Sequence, residues 1–314
     1  MTEKVLLLGN GIAREYYKGA GWNEVLDKLR NLGHYTLPSG KYQMPMPLKA
    51  EMFAKNNLNE FLELLNIDLP HDKQHNSFGE LLSLNFHHIL TTNYTYEAEC
   101  ALLNAPEIEL SRINRIHNLT GNNYFNNNQE YSDNKTEHHR VEIDNLQKYE
   151  DLITTYNAIG NKKIWHIHGE AAYPHSIVLG YSAYAQLLHS YMKKIETPEN
   201  SWLDAFVNGD VYILGFGMDF AEIDLWWLLK YKSDHRKNAK TIFFNPLPTN
   251  ISSCKVCEQA NCEGSEKWCK LKMLEIYGVQ IENINFEIEY DNNSKEPKFR
   301  NFYEKSLQSI ERDI

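Results

Sequence analysis

Apolar residues along the chain fall into two patterns. Short unbroken runs at residues 5–8 (VLLL), 89–90 (IL), 211–214 (VYIL) and 241–244 (TIFF) read as buried strands, because a strand covered on both faces has no polar side to alternate with. A further strand from residue 163, in KIWHIHGE (163–170) and ended by Gly169, places Ile164, His166 and His168 on one face and Trp165 and Ile167 on the other. Between the strands, apolar residues at helical spacing predict helices over 22–32, 58–65, 78–84, 183–194, 202–207, 223–231, 266–277 and 299–310. Residues 279–290 alternate Ile281, Ile284, Phe286 and Ile288 with polar partners, as an edge strand does.

Strands alternating with helices imply a parallel sheet, so the expected fold class is α/β, a Rossmann-like parallel sheet flanked by helices. Residues 33–47, with Pro38, Gly40, Pro45 and Pro47, read as loop, within a helical module of about residues 33–85 inserted after the first strand. From about 104 to 160 the chain turns polar, with eight asparagines between Asn114 and Asn134, and is expected to be a second, partly flexible insertion. Residues 1–314 are read as one domain carrying both insertions.

Charge narrows the partners. With 42 acidic against 32 basic residues and a net charge of −10, the chain has no basic stripe for a phosphate backbone, and direct nucleic-acid binding is not expected. The apolar run in MTEKVLLLGNG is too short for a signal peptide or a membrane span, which points to the cytoplasm. Cys100 stands alone, and Cys254, Cys257, Cys262 and Cys269 crowd into the segment 254–269. That is no secreted disulfide framework; it is either a peripheral structural zinc site or a set of thiols without metal, since only the first pair has short zinc-knuckle spacing.

The chemistry gathers where strands end. In FHHILTTNYTYEAE (86–99) an apolar strand runs into Thr91, Thr92 and Asn93, and the carboxyl ends of parallel strands line the ligand crevice of such sheets. Gly9-Asn10-Gly11 follows the first strand and Gly215-Phe216-Gly217-Met218-Asp219 a later one. Glycine turns leading into helices let a backbone approach nucleotide phosphates, although a tight turn alone uses the same residues. His168 is followed by Gly169; it is either a base or a structural histidine, with His166 as its competitor. A His-x-His pair also ligates metal, but no neighbouring carboxylate or third histidine in the sequence completes that set. Asp219 and Asp224 either contact the nucleotide or cap the helix that follows. The strand at 241–244 stops at Asn245-Pro246.

In this order, Gly9-Asn10-Gly11, Thr91-Thr92-Asn93-Tyr94, His168-Gly169, Gly215-Phe216-Gly217 and Asn245, the chain resembles the sirtuin superfamily. The resemblance implies NAD+ in the crevice. Gly9, Asn10 and Gly11 would hold the pyrophosphate, Asn93 beside Thr92 would orient the nicotinamide ribose and a water, and His168 would be the catalytic base. Gly215, Phe216, Gly217 and Asp219 fall on the adenosine side, with Asn245 near the adenine ribose. Protein deacylases carry Gln-Asn-Ile-Asp where this chain has Thr92-Asn93-Tyr94-Thr95, so their carboxylate near the nicotinamide is missing. Their four-cysteine module after His-Gly is absent too, and Leu179-Gly180-Tyr181 stands where they have Phe-Gly-Glu.

These departures, with the helical insertion, resemble bacterial sirtuin-like antiphage-defence proteins. They imply an NAD+ hydrolase (NADase) that releases nicotinamide and ADP-ribose in abortive infection. An always-active enzyme of this kind is toxic, so the resemblance implies control by oligomerisation or by a partner protein. By the same resemblance that partner would be a nucleotide-processing enzyme, such as an inosine-triphosphate pyrophosphatase-like protein, or a translocase ATPase. Two other classes stay open: an NAD-dependent protein deacylase or ADP-ribosyltransferase, and a non-catalytic nucleotide-binding scaffold.

Overall fold

The computed structural model describes residues 2–17, 21–34, 44–54, 57–64, 77–104, 114–117, 149–199, 201–236, 238–250, 265–290 and 297–314. Its strands are β1 (Lys4–Leu8), β2 (His88–Thr91), β3 (Asn114–His117), β4 (Thr155–Ile159), β5 (Lys162–His166), β6 (Asp210–Leu214), β7 (Thr241–Pro248) and β8 (Gln280–Phe286), with a small hairpin of β9 (Glu289–Tyr290) and β10 (Pro297–Lys298). The first eight form one sheet in the order β3-β4-β5-β2-β1-β6-β7-β8. From β5 to β8 every neighbouring pair is parallel, while β4 and β3 extend the β5 edge antiparallel. Numbered by their own place in the chain, the parallel strands run third, second, first, fourth, fifth, sixth. This is the doubly wound Rossmann order, and the expected α/β class is correct.

Helices cover both faces: α1 (Asn10–Tyr17), α2 (Trp22–Leu32), α3 (Met46–Ala54), α4 (Leu58–Leu64), α5 (Ser77–Ser83), α6 (Glu97–Leu103), α7 (Glu150–Thr154), α8 (Tyr181–Lys194), α9 (Trp202–Asn208), α10 (Ile223–His235), α11 (Glu266–Ile276) and α12 (Arg300–Asp313). Alternation along β1 sorts the core. Val5 and Leu7 pack with Leu187, Trp202, Phe206, Leu228 and Leu274 of α8 to α11, whereas Leu6 and Leu8 pack with Ile12, Phe78, Ala98 and Phe302 of α1, α5, α6 and α12. A third cluster, Val25, Leu29, Phe53 and Phe61, closes α2, α3 and α4 on one another and onto Tyr94 and Ile177, so the helical module sits against the loops that follow β2 and β5.

Four expectations change. The loop over 33–47 gives way to α3 at Met46, with Pro47 in the first turn, where a missing N–H leaves no bond unmade. The module also ends before residue 85, because Phe78, Leu81 and Leu82 of α5 pack under the sheet. The polar insertion does not extend to 160: Tyr149, Leu152, Ile153 and Tyr156 are buried, and β4 is part of the sheet. Finally, β7 runs through Asn245 and Pro246 to Pro248. Its pairing with β6 stops at Phe243, so Pro246 lies where no ladder bond is needed on that side.

One buried lysine amine helps hold the layers. Lys232 of α10 is 3% exposed, and its Nζ donates to the carbonyls of Phe206 (3.0 Å), Gly209 (2.6 Å) and Lys240 (3.3 Å). Lys232→Met removes this donor from the Phe206 and Gly209 carbonyls, while Lys240 O keeps Val211 N, and is expected to lower stability by about 3 kcal/mol, read as a lower urea midpoint at unchanged slope.

Candidate functional site

Leu8 pairs with Thr91 on one side and with Leu214 on the other, and Thr91 pairs with His166. Four adjacent parallel strands therefore end in a single transverse row. Gly9, Thr92 and Gly215 are the first residues past it, and Asn93 and His168 each stand two residues past it on neighbouring strands. The strand order reverses between β1 and β6, so this row edges the crevice of the topological switch point.

At the switch point the two glycine loops are packed on each other. Gly9 N donates to Leu214 O (3.1 Å) and Gly11 N to Gly215 O (2.9 Å). A Cβ on Gly9 would lie 2.5 Å from Gly215 O, and one on Gly11 would lie 2.7 Å from it and from Tyr303 Oη. Both glycines thus answer a close backbone approach, and their own amides are engaged. Helix α1 starts at Asn10 and turns its N-terminus to the same crevice. Phe216 is half-buried against the core, Gly217 is exposed with open space around it, and Thr92 N reaches Leu8 O (3.4 Å). Asp219 is exposed and shapes the turn before α10: its Oδ1 accepts from Ala221 N and its carbonyl from Trp226 Nε1, both at 2.9 Å. Asn245 is buried, with Nδ2 donating to Asn283 Oδ1 (2.8 Å) and Oδ1 lacking a partner among the described residues.

His168 is 2% exposed, and its Nε2 donates to Asp224 Oδ2 at 2.9 Å. Asp224, in the first turn of α10, is fully buried; it accepts a longer bond from Tyr191 (3.4 Å), and its Oδ1 has no partner among the described residues. On the other side of the ring Nδ1 lies 3.9 Å from Glu222 Oε2, beyond hydrogen-bond reach, and Tyr184 donates to that same oxygen at 2.9 Å. Burial opposes a charge on His168, but the carboxylate of Asp224, with Glu222 behind it, outweighs this and raises the imidazole above its usual value. Burial likewise raises Glu222, and His168 partly offsets it. One ring nitrogen is thus tied to a buried carboxylate, and the other faces Glu222 with no hydrogen bond among the described residues, an arrangement that suits an oriented base. His168, Glu222 and Asp224 also offer ligand atoms within 4.8 Å of one another, so the carboxylates that the sequence did not reveal beside His168 are supplied by the start of α10 and the residue before it.

His166 and His168 do not share a face. Strand β5 ends at His166, and the chain then turns through Gly169 at φ +97°. His166 reaches Glu99 of α6, on the Leu6 and Leu8 side, whereas His168 reaches α8 and α10 on the opposite side. His166 Nδ1 donates to the Asn93 carbonyl and Nε2 to Glu99 Oε1, both at 2.8 Å. Asn157 of β4 donates to Glu99 Oε1 (3.0 Å) and Glu170 Oε2 (3.2 Å), and Tyr96 donates to Glu170 Oε2 (3.2 Å). Thr95 Oγ1 bonds Glu97 Oε1, so a buried carboxyl stands two residues beyond the position where deacylases carry Asp.

Sequence reasoning named Asn93 and His168 and missed Glu222, Glu99, Asn157 and Glu170. Glu97, Glu99 and Asp224 sit in the first turns of helices, where acidic residues are ordinary dipole partners, and nothing in the sequence marks them as buried. Of the proposed zinc ligands, Cys254, Cys257 and Cys262 lie outside the described residues, and Cys269 is a half-buried free thiol on α11. No helix among the described residues is long and apolar enough to cross a membrane. No family profile matches the chain, and no curated protein matches it.

Proposed function

We propose that this chain is an NAD+ glycohydrolase of the sirtuin-like kind. It would cleave the bond between nicotinamide and ribose with water, as the effector of an antiphage system. The observation that carries this reading is the placement of Asn93 and His168 at equal offsets past adjacent strand ends, with His168 oriented by buried Asp224. Nicotinamide leaves as a neutral group while positive charge develops on the sugar. Glu222 and Asp224 beside His168 favour that charge. Water adds its oxygen to the anomeric carbon, and His168 takes its proton through Nδ1. Asn93 contributes a neutral amide to hold the water or a ribose hydroxyl.

The orphaned Oδ1 of buried Asn245 suits a ribose hydroxyl, and the α1 N-terminus suits a phosphate. Hydrolysis is favoured over transfer to a peptide by the packing of α3 on the segment after the histidine. Glu51 fills the space beside Gly180 and binds Ser182, where a deacylase needs an open groove. Control by a partner supplying the trigger, or by oligomerisation, belongs to the same proposal.

The test is nicotinamide release by purified protein, alone and with the presumed partner. Turnover in wild type that is lost in Asn93→Ala and His168→Ala supports the site. Turnover surviving both rejects the site, and nicotinamide released only when a peptide acceptor is added points to transfer. The pH profile adds a second check. Activity is expected to rise with pH as His168 loses its proton, with a midpoint above the ordinary imidazole value of 6.5. Asp224→Asn removes the charge that raises it, so the profile moves to lower pH while kcat falls on the order of 10²-fold.

A further inference from the structure

We propose that His166 is the positioning residue for Asn93: its imidazole, held between Glu99 and the Asn93 carbonyl, sets where the Asn93 amide stands relative to His168. The inference rests on the NAD+ reading for its kinetic consequence, though not for its geometry.

Both ring nitrogens of His166 have acceptors at 2.8 Å, one a backbone carbonyl and the other a carboxylate, and neither acceptor can donate. The ring therefore carries both protons. Burial opposes that charge, but Glu99 and Glu170 overcome it and raise the imidazole to about 9. The titratable groups facing the ring are Glu97 and Glu99 from α6, Glu170 from the segment after β5, and Tyr96, whose ring meets it edge-on at 5.3 Å.

The clamp continues past His166. Glu99 is tied by Asn157 to Glu170, two residues beyond His168. Ala171 N donates to Tyr94 O (2.7 Å) and Val178 N to His168 O (2.8 Å), so the segment after Asn93 is stitched to the segment after His168. Histidine supplies two rigid donors on opposite edges of one ring, which a single amide side chain does not span. Its place two residues before His168 means that one strand end both carries the base and holds the amide's backbone. Glu99 Oε2 is buried without a partner among the described residues, so Glu99 depends on His166 and Asn157 alone among them.

The test compares Glu99→Gln, His166→Ala and His166→Asn. Glu99→Gln keeps the shape and removes the charge, so His166 deprotonates within the working range and releases one acceptor. Glu99→Gln and His166→Ala are expected to lower kcat for NAD+ on the order of 10²-fold with KM within about threefold, because the displaced group acts at the reacting centre. His166→Asn keeps a donor near the Asn93 carbonyl and should regain about tenfold. Glu99→Gln should also move the loss of activity that follows deprotonation of His166 to lower pH than in wild type.

The side-chain amide resonance of Asn93, assigned by its absence in Asn93→Ala, gives a readout that needs no turnover; it should shift in Glu99→Gln. An unmoved Asn93 resonance, or kcat within about twofold of wild type in Glu99→Gln, overturns the clamp. A wild type that turns over no NAD+ but shows the shift rejects the enzymatic reading and leaves the clamp standing.

Discussion

His168→Ala is expected to lower NAD+ hydrolysis by about 10²–10⁴-fold, the range that a positioned general base contributes, with the loss in kcat rather than KM. The same substitution leaves Asp224 fully buried without the cation that its Oδ2 now contacts. Removing one partner of a buried ion pair typically destabilises by about 3–5 kcal/mol, so the melting temperature should fall as well. Two variants separate the effects. His168→Gln keeps a donor near Asp224 and should recover much of the stability without the activity. His168→Ala combined with Asp224→Ala removes the orphaned charge and should be more stable than His168→Ala alone, yet equally inactive. Initial rates at saturating NAD+ beside thermal melts decide the matter: a stable, active His168→Gln would remove the histidine from the mechanism.

Gly169→Ala should be nearly as damaging, and for backbone reasons. Gly169 has φ +97°, and a Cβ there would lie 2.3 Å from Ser176 O and 2.8 Å from Ile177 Cα. Neither contact is with the end of a flexible side chain. Positive-φ strain and overpacking each contribute about 1–3 kcal/mol, so a loss of about 2–6 kcal/mol is expected in denaturant unfolding. Relief requires the 176–178 segment to move. That segment binds His168 O through Val178 N, and its Val178 carbonyl accepts from Tyr94 Oη (2.8 Å), so activity should fall too. Gly160→Ala is the control. It shares positive φ, +57°, but its Cβ meets nothing within 4 Å, so only the strain is felt and activity should be retained.

How much of this the sequence disclosed follows from which physical signals are local. β1 and β6 were legible because each is an unbroken apolar run buried on both faces, and the helices because their spacing is periodic. β4 was hidden because its Asn157 reads as polar, although it is buried between Glu99 and Glu170. α3 was hidden because Pro45 and Pro47 read as loop, whereas Pro47 stands in the first helical turn. Period-two alternation put His166 and His168 together; the strand ended between them and a glycine turned the chain. At the site, Asn93 and His168 announced themselves through their neighbours in the sequence. The carboxylates that raise His168, Asp224 of α10 and Glu222 just before it, are more than fifty residues away, and Glu99 reaches His166 from α6, so only folding brings them together.

The claim that most needs testing is that water, and not a protein acceptor, takes the ribose. Purified protein, activated by its partner where one is required, is incubated with NAD+ in ¹⁸O-labelled water under single-turnover conditions, and the products are weighed by mass spectrometry. The account predicts nicotinamide and free ADP-ribose carrying one ¹⁸O, formed by wild type and not by His168→Ala. Nicotinamide release with ADP-ribose attached to protein, or no nicotinamide under any condition of activation, would contradict it.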